Sequence, residues 1–252
     1  MNDFETNGHI LIRGLAAFEE IAKSRPAIIG AVSRFSTETR SLEERDTYGK
    51  AFLQVTNLWR RDEEVRQFVF NAEFARAAAA LLGVERVRIY HDQALFKEPN
   101  GGFTPWHQDQ YYWPLDTDKT ITMWMPLVDI TPEMGMLTFA SGSHADGPVG
   151  SLRISDESEA AYGNYIEKKR FPIVRAESMS AGDATFHRGW TIHSAGENTS
   201  ADKLREVMTV IYFADGARVA VPRNDNQVAD LEAWLGGRKP GDIADSEMNP
   251  AL

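Results

Sequence analysis

Thr120-Ile121-Thr122-Met123-Trp124-Met125, closed by Pro126, is rich in β-formers and reads as a strand. Its surroundings have the same texture. A loop at Pro132 to Gly135 leads into Met136-Leu137-Thr138-Phe139, which Ser141-Gly142-Ser143 ends, and a turn at Gly182-Asp183 precedes Ala184-Thr185-Phe186-His187. The last strong strand is Val207-Met208-Thr209-Val210-Ile211-Tyr212-Phe213. Upstream, Val87, Ile89 and Leu95 share one parity, which predicts a common face, and Asn100-Gly101-Gly102 is a turn signal. Before Val84 the pattern is helical. Leu15 to Ala22 and Ile28 to Phe35 carry apolar residues at helical spacing, and Pro26 predicts a break between them. Asn71 to Gly83 predicts a helix capped by Asn71 and ended by a left-handed Gly83. Residues 146–181 are polar and predict an insertion or mobile loop.

Several short strands at irregular spacing, preceded by helices, predict a mainly β fold with flanking helices, a sandwich or barrel. The expected organisation is a single domain. It comprises a helical buttress over about 1–83, a β core over about 84–215 and a C-terminal tail over 216–252.

The chain has 252 residues, enough for a sizeable core, and a formal net charge of −10, which disfavours nucleic-acid phosphates and anionic membranes as partners. With no cysteine, disulfides, thiolate metal sites and cysteine nucleophiles are excluded together. No apolar run reaches the roughly 18 residues of a membrane span. The acidic start Met1-Asn2-Asp3-Phe4-Glu5 is unlike a secretory signal, so a cytoplasmic location is expected. No feature sets an oligomeric state.

The chemistry centres on Thr104-Pro105-Trp106-His107-Gln108-Asp109-Gln110. On an extended segment residues two apart point the same way, so His107 and Asp109 would offer an imidazole and a carboxylate to one metal ion. Tyr111 and Trp113 share that parity; they would line a substrate pocket or serve as core aromatics, and Met134 would shape the pocket wall or simply pack. A second histidine must complete the set, and His187 and His193 compete. Arg205 follows His193 by twelve residues and opens the final apolar strand, whereas no arginine stands at that spacing after His187, which favours His193. Two histidines and one carboxylate leave about half of an octahedral iron's positions open, as in non-haem Fe(II) oxygenases. An α-keto acid can chelate there, and its far carboxylate would meet Arg205 through paired hydrogen bonds.

In order and spacing these pieces resemble the phytanoyl-CoA dioxygenase family, and in particular its bacterial, ectoine-hydroxylase-like branch. The likeness rests on Phe96-Lys97-Glu98-Pro99, Gly101-Gly102, Pro105-Trp106-His107-Gln108-Asp109, Trp124 before Pro126-Leu127, Met134-Gly135, Gly142-Ser143-His144, Gly182-Asp183, His193, Asn198, Arg205 and Pro240-Gly241-Asp242. It implies a double-stranded β-helix, the jelly-roll or cupin-like barrel. It also implies an enzyme using Fe(II), 2-oxoglutarate and O₂ to oxidise, most often hydroxylate, a small-molecule metabolite or natural-product intermediate. Trp124 matches a position lining the 2-oxoglutarate pocket, and Gln93 would add a contact. Relatives usually carry a small hydroxyl residue two positions after the distal histidine. Here Ala195 stands there and Ser194 one residue earlier, so Ser194 is the candidate for that contact. Related halogenases need a small residue at the carboxylate position, so Asp109 implies oxygenation.

The remaining histidines read as structural: His144 as a turn residue, His187 as a packed strand residue, His91 and His9 without a role. Two rivals remain open at this stage: an inactive jelly-roll binding or sensor protein, and a non-oxidative cupin-like metal enzyme. The complete triad with Arg205 argues against the first, and the second, needing no keto acid, gives Arg205 and Trp124 no shared purpose.

Overall fold

The structure, a computed structural model, describes residues 2–150 and 152–252. Its strands are β1 (His9–Ile12), β2 (Leu53–Thr56), β3 (Val87–Phe96), β4 (Thr104–His107), β5 (Thr120–Pro126), β6 (Leu137–Ala140), β7 (Ile173–Arg175), β8 (Ala184–Arg188), β9 (His193–Ala195) and β10 (Val207–Ala214). They form a six-stranded sheet of order β1-β8-β5-β10-β3-β2 and a four-stranded sheet of order β4-β9-β6-β7. Every pairing between them is antiparallel. The helices are α1 (Asn2–Asn7), α2 (Phe18–Phe35), α3 (Thr47–Ala51), α4 (Glu63–Val69), α5 (Ala72–Leu82), α6 (Asp156–Lys169) and α7 (Asp225–Trp234). The expected mainly β architecture with flanking helices is therefore present, and its sheets are antiparallel.

Alternation along the strands sorts the large sheet's side chains. Ile121, Met123 and Met125 of β5, Phe186 of β8 and Met208 and Val210 of β10 face the helices, packing with Ile28 of α2, Phe68 of α4 and Phe74 of α5. Burying each such side chain contributes about 1.5–3 kcal/mol. The alternate residues Thr122, Trp124, His187, Thr209 and Ile211 face a cavity of about 520 Å³ that the small sheet lines from the other side through His107, Leu137 and His193.

Alternation breaks in β3. Ile211 pairs with His91 but Tyr212 pairs with Ile89, so Tyr90 is an extra residue. Val87 and Ile89 consequently pack on the helical side, whereas His91, Gln93 and Leu95 face the cavity. The common face predicted for Val87, Ile89 and Leu95 is corrected by that bulge.

Two further expectations are corrected. Helix α2 runs unbroken through Pro26. Its face of Ile21, Ile28, Ala31 and Val32 is buried in the core, which offsets the cost of about 3 kcal/mol for an interior proline. Segment 146–181 carries α6 and β7 rather than a loose loop. A Ser155–Ser158 capping box starts α6, whose Glu159 Oε2 accepts the Trp106 N–H at 2.8 Å, and Ile154 N–H donates to the Tyr112 hydroxyl at 2.8 Å. Helix α5 forms as expected, with the Asn71 side chain accepting from Glu73 N–H and Gly83 at φ +63°.

The C-terminal residues return to the sheet: Ile89 N–H donates to Pro250 C=O at 3.1 Å and Leu252 N–H to Val87 C=O at 2.9 Å. That return sets α7 against the turn that follows β4. Among the described residues no helix is long and apolar enough to cross a membrane.

Candidate metal centre

The register of β4 and β9 places His107 directly opposite His193. Each imidazole is pinned by its own backbone. His107 Nδ1 lies 2.7 Å from Pro105 C=O, and His193 Nδ1 lies 2.9 Å from Thr191 C=O. A carbonyl only accepts, so both Nδ1 atoms carry the proton and both Nε2 atoms present lone pairs. Those Nε2 atoms converge on one carboxylate oxygen: Asp109 Oδ1 lies 3.5 Å from His107 and 3.6 Å from His193. Together His107, Asp109 and His193 offer three donor atoms within 4.8 Å of one another, a set that could hold one metal ion.

The other oxygen of Asp109 is tethered. Oδ2 accepts from the Thr122 hydroxyl at 2.8 Å and from His187 Nε2 at 3.2 Å. Thr122 and His187 are themselves paired across β5 and β8, so the large sheet supplies both tethers from one position. Because His187 spends Nε2 on this bond, only its buried and unpartnered Nδ1 remains. His187 is thus a strand residue, as expected, but one that orients the carboxylate of Asp109, which the sequence did not show.

Electrostatics favour the ligand forms. Burial alone would raise the Asp109 carboxyl, but the imidazoles of His193, His107 and His187 hold it well below the usual carboxylate range. Burial, followed by repulsion from His107 and His187, pushes His193 well below its ordinary value and keeps it a neutral imidazole. A neutral imidazole and an ionised carboxylate are what a metal requires.

Arg205 lines the same cavity and is 1% exposed. Its Nη1 donates to Gly135 C=O at 2.5 Å, its guanidinium carbon lies 5.4 Å from the Trp124 ring centroid, and its Nε has no partner. Burial lowers it to about 9, which still leaves it charged at neutral pH. Next to it, paired backbone to backbone, is Lys97, which burial and the Arg205 charge lower to about 6. A buried guanidinium with an unused N–H, stacked near an indole and open to the cavity, is suited to a carboxylate.

Of the other expected contacts, Gln93, Trp124 and Trp113 line the cavity. Three do not. Ser194 has strand parity opposite to His193 and Ala195, so Ala195 faces the cavity and Ser194 faces away. Asp109–Tyr112 is a 3-10 turn, not an extended strand. Residues three apart then share a side, so Tyr112 accompanies Asp109 into the cavity, while Tyr111 points elsewhere and its hydroxyl accepts from Asn226 Nδ2 at 3.2 Å. Met134 packs behind the wall, in an apolar cluster with Ile130, Met136 and Met179 that also holds Trp124. His144 sits in a turn against Glu5 C=O as expected, and His9 bonds Ser141 and stacks on Phe139. His91 lines the cavity. Sequence reasoning also missed Asn226, Asp230 and Trp234, although their spacing along one helical face was visible.

Two antiparallel sheets enclosing a His/Asp/His donor set define a non-haem metal-site architecture. The phytanoyl-CoA dioxygenase family model matches residues 4–207, and the chain belongs to that family. A probable alpha-ketoglutarate-dependent hypophosphite dioxygenase of Stutzerimonas stutzeri is 24% identical over 229 residues, covering 84% of this chain and 77% of that protein. In fold the chain is similar to the non-heme alpha ketoglutarate dependent carbocyclase SnoK from nogalamycin biosynthesis, with a TM-score of 0.80 at 24% identity over 100% of this chain and 94% of that one. It is similar also to the epimerase SnoN of the same biosynthesis, with a TM-score of 0.78 at 22% identity over 99% and 95% of the two chains.

Proposed function

We propose that the chain is an Fe(II)- and 2-oxoglutarate-dependent dioxygenase that oxidises, by hydroxylation, a C–H bond of a small metabolite or natural-product intermediate, with O₂ consumed and succinate and CO₂ released. The observation that carries the proposal is the convergence of the two Nδ1-pinned imidazoles on Asp109 Oδ1, in one cavity with the buried Arg205. His107, Asp109 and His193 would hold the iron, and when bound the iron supplies the O₂ chemistry. Arg205 binds the distal carboxylate of 2-oxoglutarate; Trp124 forms the face beneath that guanidinium, and Gln93 adds a polar contact. Asp109, kept ionised and tethered through Oδ2, occupies the position that a halide would need, which favours oxygenation. The aromatic wall from Tyr112 and Trp113 orients substrate and excludes water.

In this proposal the two sheets correspond to the double-stranded β-helix of the family. The chain acts as one domain with residues 1–83 as buttress. Its partner is a small molecule rather than nucleic acid, and the cytoplasm is its place of work. Similarity in fold to a carbocyclase and an epimerase supports the shared cofactors more strongly than it supports hydroxylation. Anaerobic addition of Fe(II) and 2-oxoglutarate should give a visible charge-transfer band, lost in His107→Ala and Asp109→Ala. Absence of that band in the wild-type protein would overturn the proposal.

A further inference from the structure

Part of the cavity wall comes from α7, which lies beyond the residues matched by the family model. Asn226, Asp230 and Trp234 stand four residues apart on one helical face, and all three line the cavity that also holds the His/Asp/His set. Asp230 Oδ2 accepts from the Tyr90 hydroxyl at 2.9 Å. Among the described residues, no lysine, arginine or histidine lies within 4.0 Å of that carboxylate. Arg153, also on the cavity wall, is exposed and makes no ion pair with it. His91 is buried with Nδ1 unpartnered, and its ring lies 5.1 Å from that of Trp234. Burial lowers His91 to about 4, so it supplies no countercharge at neutral pH.

A partly buried carboxylate that has no internal cation is left short of countercharge, and a ligand cation relieves that cost. The neighbouring wall is aromatic, with the rings of Tyr112, Trp113 and Trp234 lining the same space. One carboxylate among aromatic rings is the chemistry that recognises an organic ammonium, through an ion pair on one side and cation–π attraction on the others. We propose that Asp230 anchors the substrate and that the substrate carries a protonated amine seated on this carboxylate against Trp234. The assignment rests on the oxygenase proposal only in holding that the bound amine is the molecule oxidised. Burial also raises the Asp230 carboxyl to about 7, against the pull of its bonds from Tyr90 and Trp234, and a cation seated on it would lower it again.

The test uses the metal-free, full-length protein and a matched pair of probes, benzylamine and benzyl alcohol. Trp113 and Trp234 flank the proposed anchor, so quenching of tryptophan fluorescence reports binding without turnover. Benzylamine should saturate the signal and bind about tenfold more tightly than benzyl alcohol. Asp230→Asn should erase that preference. Tyr90→Phe, which removes one bond to α7 but leaves the carboxylate, should keep it, as should Asp109→Ala. No saturable quenching by benzylamine, equal affinity for the two probes, or a preference that survives Asp230→Asn would each overturn the assignment. The Fe(II)–2-oxoglutarate band of the same wild-type sample reports the oxygenase proposal separately.

Discussion

Replacing Thr122 with valine keeps the side-chain shape and deletes the hydroxyl that donates to Asp109 Oδ2 at 2.8 Å. The other donor on that oxygen, His187 Nε2, is farther off at 3.2 Å, so Thr122 carries the larger share of the tether. A hydrogen bond to a charged acceptor contributes about 1.5–3 kcal/mol. Taking ~2 kcal/mol, with tenfold for each ~1.4 kcal/mol, divalent-metal affinity should fall about thirtyfold. That lies within the roughly 10–100-fold cost of losing a group that orients a metal ligand. The assay is anaerobic titration with Co(II), read by visible absorption, beside a thermal melt that confirms the fold. Thr122→Ser should restore most of the affinity, and His187→Phe should weaken it less than Thr122→Val does. An affinity within about twofold of wild type in a folded Thr122→Val protein would mean that Asp109 is not held to the metal by this tether. Complete loss in His187→Phe alone would make His187 the distal ligand in place of His193.

Arg205→Ala removes the only expected partner for the far carboxylate of 2-oxoglutarate from a site 1% exposed. A loss of about 3–5 kcal/mol, or 100-fold or more in affinity, should appear when 2-oxoglutarate is titrated against the charge-transfer band. Unchanged affinity would move the anchor elsewhere. Gly135→Ala meets a double obstacle, a φ of +83° and a Cβ 2.5 Å from Gly196 C=O, and should lower stability by about 1–3 kcal/mol in thermal denaturation. It should also weaken 2-oxoglutarate binding, because the Gly135 carbonyl holds Arg205. His91 titrates near 4 in the fold against 6.5 in the unfolded chain, because of burial. Between those values the unfolded chain binds the extra proton, so metal-free stability falls as pH drops through this window and levels off below it for this group. The gap is worth about 3 kcal/mol, and chemical denaturation of His91→Leu across the window should show a correspondingly flatter profile.

Much of this was legible in the sequence because it depends on local pattern. The strands at 120–126 and 207–214 are long enough in β-formers to declare themselves, and Asn71 and Gly83 mark α5 by the donors and dihedrals each end requires. The family resemblance rested on order and spacing, and the family match bears it out. Pro26 misled because propensity is a weak prior against a buried apolar face. The polar segment at 146–181 misled because α6 earns its place through caps and through Glu159 rather than through an apolar stripe.

Ser194 was misplaced by analogy against its own strand parity, whereas Tyr111 and the inward face of β3 were misplaced by the backbone itself. Alternation tells which way a residue points only while the backbone stays extended, and at this site it departs twice. The 3-10 turn after His107 exchanges Tyr111 for Tyr112 on the cavity wall, and the extra residue at Tyr90 turns His91, Gln93 and Leu95 inward. Neither departure is an accident beside the site. Without the turn, Asp109 would continue a strand away from β9 instead of lying beside His193, and without the bulge β3 would present Asp92 rather than His91 and Gln93 to the cavity. The places where simple pattern fails are therefore the places where the fold bends its strands to build a cavity, as expected of functional positions. By the same logic the contribution of α7 was hidden, since no strand rule connects Asp230 to His107. The return of residues 249–252 to β3, the Tyr90–Asp230 bond and the bonds of Asn224 and Gln227 to Tyr111 C=O secure that helix against the site.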